Sequence, residues 1–407
     1  MRLWCFTPAL INWVAAVSFH KLPSGTAVTS LSADGSVAAG TFLGGDAWIW
    51  NAVDGLTRIP SSDGIVGNVA LSADGKILAG TRGRDNSKNV TAALWKNGRW
   101  SDLRGRPRPS SAWGISPDAS VVVGLSPVSE SSPYPVEGAV WSADGTEAHV
   151  LTSSVAKRPT RGNVAANRGQ VIGGWQDLLN GGRVGAIWEA QASGKWKQQL
   201  LLDQSGHHVG EVLAMNFMGT VIAGEGFEGR GGWIMFRGKS APTVLANVSE
   251  ASAVFGVSAD GTLAGGSAGQ VGTIARTGFL WTPALGVQAL LPSLRQLLGD
   301  TLPNTTTAHE LGAVTAISAD GSTIAGWGWA LPPASEPGPH GWVAHIRSHS
   351  GHLTVEQAPY PENPKQVWAI ITLSIFGACI AVLKALVMMS QNSKRHHADG
   401  MSEPMLS

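Results

Sequence analysis

A short phrase recurs along this chain and constrains its fold more than any other feature: an apolar strand, Ser-Ala-Asp-Gly, and a second apolar strand that ends in glycine. Four copies keep the phrase intact between two such strands, and three more are eroded. The fourth position of the copies falls at residues 35, 75, 119, 169, 219, 261 and 321. The spacings of 40 to 60 residues are typical of one four-stranded blade of a β-propeller.

The first unit shows how one repeat is organised. Its strands are predicted at residues 27–32, 36–41, 47–50 and 56–59, with tight turns at Asp34-Gly35 and Asp54-Gly55. One such unit cannot bury its two faces, whereas a closed ring of units buries all of them. We therefore predict an all-β fold, a seven-bladed β-propeller of four-stranded repeats of about 40–50 residues.

Two segments are candidates for the strand that closes the ring. Residues 19–23 resemble the outer strand at residues 56–60, and they precede the first repeat, which favours an N-terminal closing strand. Residues 352–355 are the alternative.

The turn residues of the repeat are interpreted as structural. Glycine supplies the positive φ that a tight hairpin needs, and the preceding aspartate can bond its own backbone, so a repeated metal site is not favoured. The predicted structural turn residues are Asp34, Gly35, Asp74, Gly75, Asp118, Asp260, Gly261, Asp320 and Gly321.

Tryptophan recurs in the third strand of the units, within apolar surroundings that predict burial between blades and argue against stacking on a carbohydrate. The predicted blade-core aromatics are Trp48, Trp95, Trp141, Trp188, Trp233, Trp281 and Trp342.

Composition excludes several classes of protein. With 43% hydrophobic and 14% charged residues, the chain is too apolar to be disordered. A net charge of +1 without a basic block argues against a dedicated nucleic-acid binder. Cys5 and Cys379 both lie in terminal segments, so the repeat region contains neither a disulfide framework nor a thiolate metal site.

The repeat region resembles the HAF-repeat family of extracellular proteins, whose units combine Ser-Ala-Asp-Gly, a strand ending in Val-Gly, and Ala-Phe-Leu-Trp-Thr. The strongest match is residues 278–287, and residues 313–326 and 341–344 are also similar. The resemblance covers about residues 19–346 and departs from the pattern in the fourth and fifth copies, where Arg168 and Met218 replace the turn aspartate. It implies an exported, propeller-like repeat protein and no particular chemistry.

The two ends of the chain predict export and anchoring. Residues 367–389 carry one charge, Lys384, and are long enough to span about 30 Å of hydrocarbon as a helix. Lys394 and Arg395 follow and predict a cytoplasmic C-terminus. Residues 1–18 resemble a cleaved signal peptide, with an uncleaved anchor or a first strand of the fold as alternatives.

The predicted organisation is a signal peptide at 1–18, the propeller at 19–356, a Pro-rich linker at 357–366, the membrane helix at 367–389 and a cytoplasmic tail at 390–407. The propeller is expected on the extracellular, periplasmic or lumenal side of the membrane.

Catalytic motifs are not evident. No P-loop, HExxH, GxSxG or dinucleotide fingerprint stands in a supporting context, and the two tyrosines lie in Pro-rich loops. The histidines at 207, 208, 340, 345, 349 and 352 are interpreted as solvated rather than as metal ligands. We therefore predict no catalytic residue, no cofactor and no metal, although catalysis stays undecided.

Binding regions are expected in the long loops at residues 83–90, 126–137 and 328–339, because loops on a rigid scaffold often carry recognition. Residues 288–299 predict a short amphipathic helix between the sixth and seventh units that caps the ring.

The favoured function is a membrane-anchored, extracytoplasmic module that binds a protein or glycan partner and no nucleic acid. One alternative is an extracytoplasmic hydrolase or lyase, which would bring two carboxylates, or histidine and carboxylates, together at the channel mouth. Another is an accessory subunit of a membrane complex, in which the helix and Lys384 dock against partner helices.

Overall fold

The computed structural model describes residues 17–346, except for residues 44, 84–88, 130, 156, 247, 250, 270–275 and 332–336. Within this part of the chain, seven antiparallel four-stranded sheets surround a central channel, which confirms the predicted seven-bladed propeller. In each blade the first strand lines the channel and the next strands lie successively farther out.

The strands follow the repeat closely. Blades 1 to 3 consist of β2 Thr26–Leu31, β3 Val37–Phe42, β4 Ala47–Asn51 and β5 Gly55–Ile59; β6 Ile65–Leu71, β7 Leu78–Arg82, β8 Thr91–Lys96 and β9 Arg99–Asp102; and β10 Ser111–Ile115, β11 Val121–Ser129, β12 Ser132–Ser142 and β13 Ala148–Leu151. Blades 4 and 5 consist of β14 Thr160–Ala165, β15 Val171–Asp177, β16 Arg183–Ala190 and β17 Trp196–Leu200; and β18 Val212–Met215, β19 Val221–Gly224, β20 Trp233–Phe236 and β21 Thr243–Val244. Blades 6 and 7 consist of β22 Ala253–Val257, β23 Ala264–Ala268, β24 Thr277–Thr282 and β25 Gly286–Ala289; and β26 Ala313–Ile317, β27 Thr323–Ala330, β28 Gly338–His345 and β1 Ser18–Ser24.

The N-terminal strand closes the ring. β1 pairs antiparallel with β28, in a register that places Phe19 opposite Ala344 and Lys21 opposite Trp342. The Lys21 Nζ atom also lies 2.6 Å from a carboxylate oxygen of Glu310. The favoured closing strand is thus confirmed, and the alternative at residues 352–355 lies outside the described residues.

The alternation of strand direction gives the disc two different faces. The turns from first to second strand and from third to fourth strand, including the Ser-Ala-Asp-Gly copies, lie on one side, which we call the turn face. The connections from second to third strand and from one blade to the next lie on the other side, the loop face.

A ring of hydrogen bonds joins the blades at the turn face. At five of the seven blade junctions, the backbone N–H of the second turn residue donates to the carbonyl of the equivalent residue in the next blade, at 2.7–2.9 Å. Pro117 has no N–H, and at its junction the Arg168 N–H donates to the Asp118 carboxylate. At the seventh junction the Asn216 side chain donates to the Ala259 carbonyl.

Apolar faces of neighbouring blades pack together at all seven junctions. Five of the third-strand tryptophans are at most 1% exposed: Trp48, Trp141, Trp188, Trp233 and Trp342. Trp95 and Trp281 are half-buried at the edges of their clusters. Truncating one of the buried rings to alanine typically costs about 3–5 kcal/mol.

One α-helix, α1 Leu290–Leu298, lies between blades 6 and 7, slightly shorter than the predicted segment, and 3-10 turns occur at Asn167–Gly169 and Gly299–Thr301. The α1 residues Leu290, Leu294 and Leu298 are buried in the cluster that these blades share. None of the helices in the described ranges is long and apolar enough to cross a bilayer. The predicted membrane helix and cytoplasmic tail, and residues 1–16 of the predicted signal peptide, lie outside those ranges.

Candidate functional site

The central channel is a cavity with a volume of about 2030 Å³. It extends from Ala33 and Ala73 at the turn face to Phe42 and Gly64 at the loop face. All seven innermost strands contribute to its wall. A cavity of this size in a rigid scaffold is the natural place to search for a binding or catalytic site.

A β-bulge in each innermost strand places one extra side chain toward the channel in six blades. These residues are Thr29, Trp113, Asn163, Leu213, Phe255 and Thr315. The polar ones reach the next blade: Thr29 donates to the Val69 carbonyl at 2.7 Å, Asn163 to Val212 at 2.8 Å and Thr315 to Val28 at 2.7 Å. The bulge therefore either ties two blades together or presents a large apolar group to the channel.

Charged and aromatic side chains of blades 3 to 6 meet where the channel opens on the loop face. We call this group the mouth cluster; it consists of Trp113, Arg161, Asn163, Trp175, Asp177, Arg183, Glu211, Glu225 and Arg276.

Glu211 is the centre of the mouth cluster. One carboxylate oxygen accepts hydrogen bonds from Arg161 at 2.7 Å and from the Asn163 amide at 3.1 Å, and the other lies 3.2 Å from Arg183. The Glu211 side chain is 7% exposed, so this carboxylate is desolvated and held by three donors. Arg183 also binds Asp177 at 3.3 Å. Although burial lowers the pKa of Arg183, these two carboxylates raise it overall.

The two arginines are stacked on tryptophan rings. The Arg161 guanidinium lies 3.7 Å from the centre of the Trp113 ring and 5.2 Å from that of Trp175, and Arg183 lies 3.8 Å from Trp175. Stacking of this kind attracts the cation to the ring face and restricts its rotation. The arginines are therefore held by both ion pairs and aromatic rings, which makes the cluster rigid.

Glu225 and Arg276 lie beside this network without joining it. Burial raises the pKa of Glu225 to about 7, assisted by the negative charge of Glu211 and opposed by Arg161, Arg183 and Arg276. Burial lowers the pKa of Arg276, and the Glu225 carboxyl group opposes that change. Glu225 is thus able to change protonation near neutral pH inside the channel.

The repeat determines where these residues lie. Arg161 and Glu211 stand eight residues before the fourth position of units four and five, and Trp175 and Glu225 stand six residues after it. Arg161 and Glu211 are thus equivalent residues of adjacent blades that face each other as an ion pair. A charged residue at either of these two repeat positions is the sequence signal that identifies Arg161, Glu211 and Glu225.

Glycine residues in the second strand let it approach the innermost strand closely, and this approach positions the residues of the mouth cluster. A Cβ at Gly174 would overlap the carbonyl oxygen of Arg161, and one at Gly224 would overlap that of Glu211. Any larger residue would push the innermost strand away, so these glycines fix the distance between the strands that carry the mouth cluster.

The turn residues named from the sequence all lie at the turn face, away from the mouth cluster. In the second unit the Ser72 hydroxyl donates to Asp74 at 2.6 Å, and Asp74 also accepts the Lys76 N–H at 3.1 Å. The Ser72 bond is the largest cause that lowers the pKa of Asp74. The same serine-to-aspartate bond, at 2.6–2.7 Å, recurs at Asp34, Asp118, Asp260 and Asp320. The turn glycines Gly35, Gly75, Gly261 and Gly321 have φ values of 69–73°.

The described histidines named from the sequence lie in separate parts of the propeller. His340 is 3% exposed, so its interpretation as a solvated residue is wrong; it is buried where β28 meets the closing strand, and its Nδ1 lies 3.3 Å from the Leu22 carbonyl. His345 interacts with Thr323 at 2.9 Å. The described residues contain no group of histidine, cysteine or carboxylate side chains arranged to bind a metal. His349 and His352 lie outside them.

The predicted loop at residues 83–90 falls between the end of β7 at Arg82 and the start of β8 at Thr91, at the loop face. The predicted loop at residues 328–339 is too long, because β27 continues to Ala330 and β28 begins at Gly338. Residues 84–88 and 332–336 lie outside the described residues. The third prediction, a loop at residues 126–137, is wrong because β11 and β12 continue there and pair out to Ser129 and Ser132. Pro127 had suggested a loop, but it lies next to a register shift, where a strand tolerates a residue without an N–H.

Comparisons with known proteins add little beyond the fold. No family model and no curated protein matches this chain. Similar solved structures include TolB from Acinetobacter baumannii, at 13% identity and a TM-score of 0.42 over 64% of this chain and 62% of that chain. A chain of a mitotic checkpoint complex has 14% identity and a TM-score of 0.48 over 86% of this chain and 100% of that chain. A putative TolB from Agrobacterium tumefaciens has 12% identity and a TM-score of 0.38 over 68% of this chain and 87% of that chain. This chain therefore spans less than two thirds of the first TolB, and the fold assignment rests on the sheet topology itself.

Proposed function

We propose that this chain is a membrane-anchored, extracytoplasmic β-propeller that binds a protein or other ligand at the loop-face opening of its channel. The observation that carries this proposal is the mouth cluster, where three arginines and two tryptophans of blades 3, 4 and 6 line a cavity of about 2030 Å³. Rigid polar anchors around a preformed opening are typical of binding sites.

The repeated turn aspartates named from the sequence have local partners. The repeated aspartates are bound by serine hydroxyls and backbone N–H groups of their own turns, which explains them by folding alone. The contacts within the mouth cluster, in contrast, do not stabilise a single turn. The residues of this cluster come from different blades and contact one another across blade boundaries.

A photo-cross-linking experiment in cells that express the full chain tests which face binds. A benzophenone amino acid replaces Leu179, which is 74% exposed in the loop between β15 and β16 next to the mouth cluster. A matched control replaces Val53, which is 93% exposed in the turn between β4 and β5 on the opposite face. We expect a discrete adduct at 179 and none at 53. Equal labelling at both positions, or labelling at 53 alone, would refute binding at the loop face.

A hydrolase or lyase is the second candidate function, and one observation favours it. Glu225, with a pKa raised to about 7, lies in the channel under the influence of the Glu211 charge, and such a carboxyl can transfer protons at neutral pH. Glu211 itself is held by three donors, which leaves Glu225 as the group for proton transfer.

The test is incubation of the full chain with neutral and acidic polysaccharides, followed by assays for new reducing ends and for unsaturated products. Activity that Glu225→Gln abolishes would establish the enzyme. Activity that survives this substitution would exclude Glu225 as its acid or base.

Membrane attachment is proposed from residues 367–389 and the basic residues that follow them. Deleting residues 367–407 should move the chain from the membrane fraction to the soluble fraction.

If the chain is instead a subunit of a membrane complex, Lys384→Leu should release its partners without changing the fold, and unchanged co-purification would exclude that role for Lys384. Membership of the HAF-repeat family stays a prediction from the repeat phrase.

A further inference from the structure

One cation in the mouth cluster forms no direct ion pair with the described residues, although Glu225 acts on it electrostatically. Arg161 and Arg183 bind Glu211 and Asp177 through direct ion pairs. Arg276 is half-buried immediately before β24, and among the described residues it forms neither a hydrogen bond nor an ion pair. A buried guanidinium without a partner is costly, and binding an anion would remove that cost.

The charges of the cluster indicate what the missing partner carries. Arg161, Arg183 and Arg276 contribute three positive charges, and Glu211 and Asp177 contribute two negative ones. With Glu225 neutral the cluster has an excess of one positive charge, which matches a single carboxylate better than a doubly charged phosphate.

Building on the binding function proposed above, we propose that the mouth cluster recognises a carboxylate on an acidic peptide segment of a partner protein, and that Arg276 is the residue that binds it.

The aromatic rings favour a peptide over an acidic sugar. A sugar ring stacks on a free aromatic face, but Arg161 covers a face of Trp113 and Arg183 covers a face of Trp175 at 3.7 and 3.8 Å. The rings therefore hold Arg161 and Arg183, which also bind Glu211 and Asp177, and Arg276 is the guanidinium that contacts the ligand. Planar guanidinium groups in fixed positions suit the two oxygens of a carboxylate.

Glu225 makes this recognition depend on pH. The charged groups that act on it are Glu211 immediately before β18, Arg161 on β14, Arg183 on β16 and Arg276 before β24, while Asp177 at the end of β15 pairs with Arg183. Protonated Glu225 leaves Arg276 free for the ligand, whereas ionised Glu225 competes for Arg276 and repels a carboxylate. Affinity should therefore fall about tenfold between pH 6 and pH 8, because the protonated fraction of a group with a pKa of about 7 falls by that factor.

The experiment measures fluorescence anisotropy of a labelled octapeptide of alternating Glu and Ser with the purified full chain in detergent. The reference probe has Gln in place of Glu. We expect the acidic peptide to bind at least tenfold more tightly at pH 6, Arg276→Gln to remove this preference, and Arg99→Gln to preserve it. Arg99 is an exposed residue on outer strand β9, and its substitution removes the same net charge.

A second variant keeps the test decisive if Arg276→Gln proves unstable. Glu225→Gln should bind the acidic peptide with the same affinity at pH 6 and pH 8. Equal binding of the Glu and Gln peptides, an unchanged Arg276→Gln, or tighter binding of a hexuronate oligosaccharide would overturn the proposal. If the cross-link at position 179 persists while the acidic peptide fails, the binding function stands and the ligand class is wrong. If both fail, the binding function is wrong as well.

Discussion

The turn face and the loop face of this propeller are built from different parts of the same repeat. At the turn face the blades are nearly interchangeable, because five of seven junctions use the same backbone hydrogen bond and five of the seven turns from first to second strand use the same serine-to-aspartate bond. At the loop face the blades differ, and blades 3 to 6 alone supply the mouth cluster. The features that the blades share therefore form the ring, and the residues that differ between blades form the mouth cluster.

Blades 4 and 5 show this division most clearly. They have lost the turn aspartate, with Arg168 and Met218 in its place, yet the Asn167 N–H still donates to the Phe217 carbonyl at 2.7 Å. The same blades carry Arg161 and Glu211 at equivalent positions. Blade 4 thus loses the turn aspartate and keeps its backbone junction with blade 5, whereas blade 5 joins blade 6 through the Asn216 side chain.

The largest expected loss of stability comes from a substitution at the loop face. Glu211→Gln removes the charge that holds Arg161 and Arg183 and should lower the free energy of unfolding by about 3 kcal/mol, because it leaves a buried guanidinium without its carboxylate. Denaturant unfolding measures this. The control Glu147→Gln changes a side chain that is 71% exposed at the turn face and should cost less than about 0.5 kcal/mol. Similar losses for the two variants would show that the mouth cluster is not a buried network.

The second effect depends on pH. Because the folded-state pKa of Glu225 is raised to about 7 from 4.5, the folded state holds its proton more tightly, and this group destabilises the protein as pH rises from 4.5 to 7. Glu225→Gln should therefore stabilise the protein at pH 8 by on the order of 2 kcal/mol and have little effect below pH 4.5. Thermal unfolding at the two pH values measures this.

The control for that measurement is Glu228→Gln, an exposed carboxylate in the following loop, which should give no pH-dependent gain. A gain from Glu225→Gln that is equal at both pH values would mean that Glu225 is ionised normally.

A smaller loss of stability is expected when the same substitution is made in two copies of one turn. Ser72→Ala removes a buried hydroxyl that donates to Asp74 and accepts the Ile77 N–H, which should cost about 1–2 kcal/mol. Ser142→Ala removes the same two bonds in the more exposed turn between β12 and β13, and its cost should be less than half as large. Equal losses in denaturant unfolding would show that burial at the ring does not strengthen the turn.

The smallest effect concerns the closing strand. The His20 and His345 rings lie 5.9 Å apart on β1 and β28, and burial, followed by the charge of His20, lowers the pKa of His345. Because the folded state disfavours protonation of His345, stability should decline as pH falls below 6.5. His345→Gln should reduce that decline in acid unfolding, and an unchanged pH profile would exclude His345 as its cause.

Much of the fold could be predicted because the repeat is local. Strand, turn and tryptophan positions recur with each unit, and the blade number follows from their count. A fifth intact Ser-Ala-Asp-Gly copy at residues 142–145 forms the turn between β12 and β13 rather than a blade junction, so the phrase specifies a hairpin and not its place in the blade. The buried His340 and the long β11–β12 hairpin were mispredicted, since both depend on pairing with other strands.

The sequence by itself determined the number of blades, their turns and their buried tryptophans, because hairpin chemistry and strand periodicity act over a few neighbouring residues. The tertiary structure alone decided that Arg161 and Glu211, 50 residues apart, form an ion pair, and that Glu225 and Arg276 share one channel. Those contacts exist because ring closure brings equivalent positions of successive blades together, and charges that are unremarkable along the chain become a buried cluster once water is excluded.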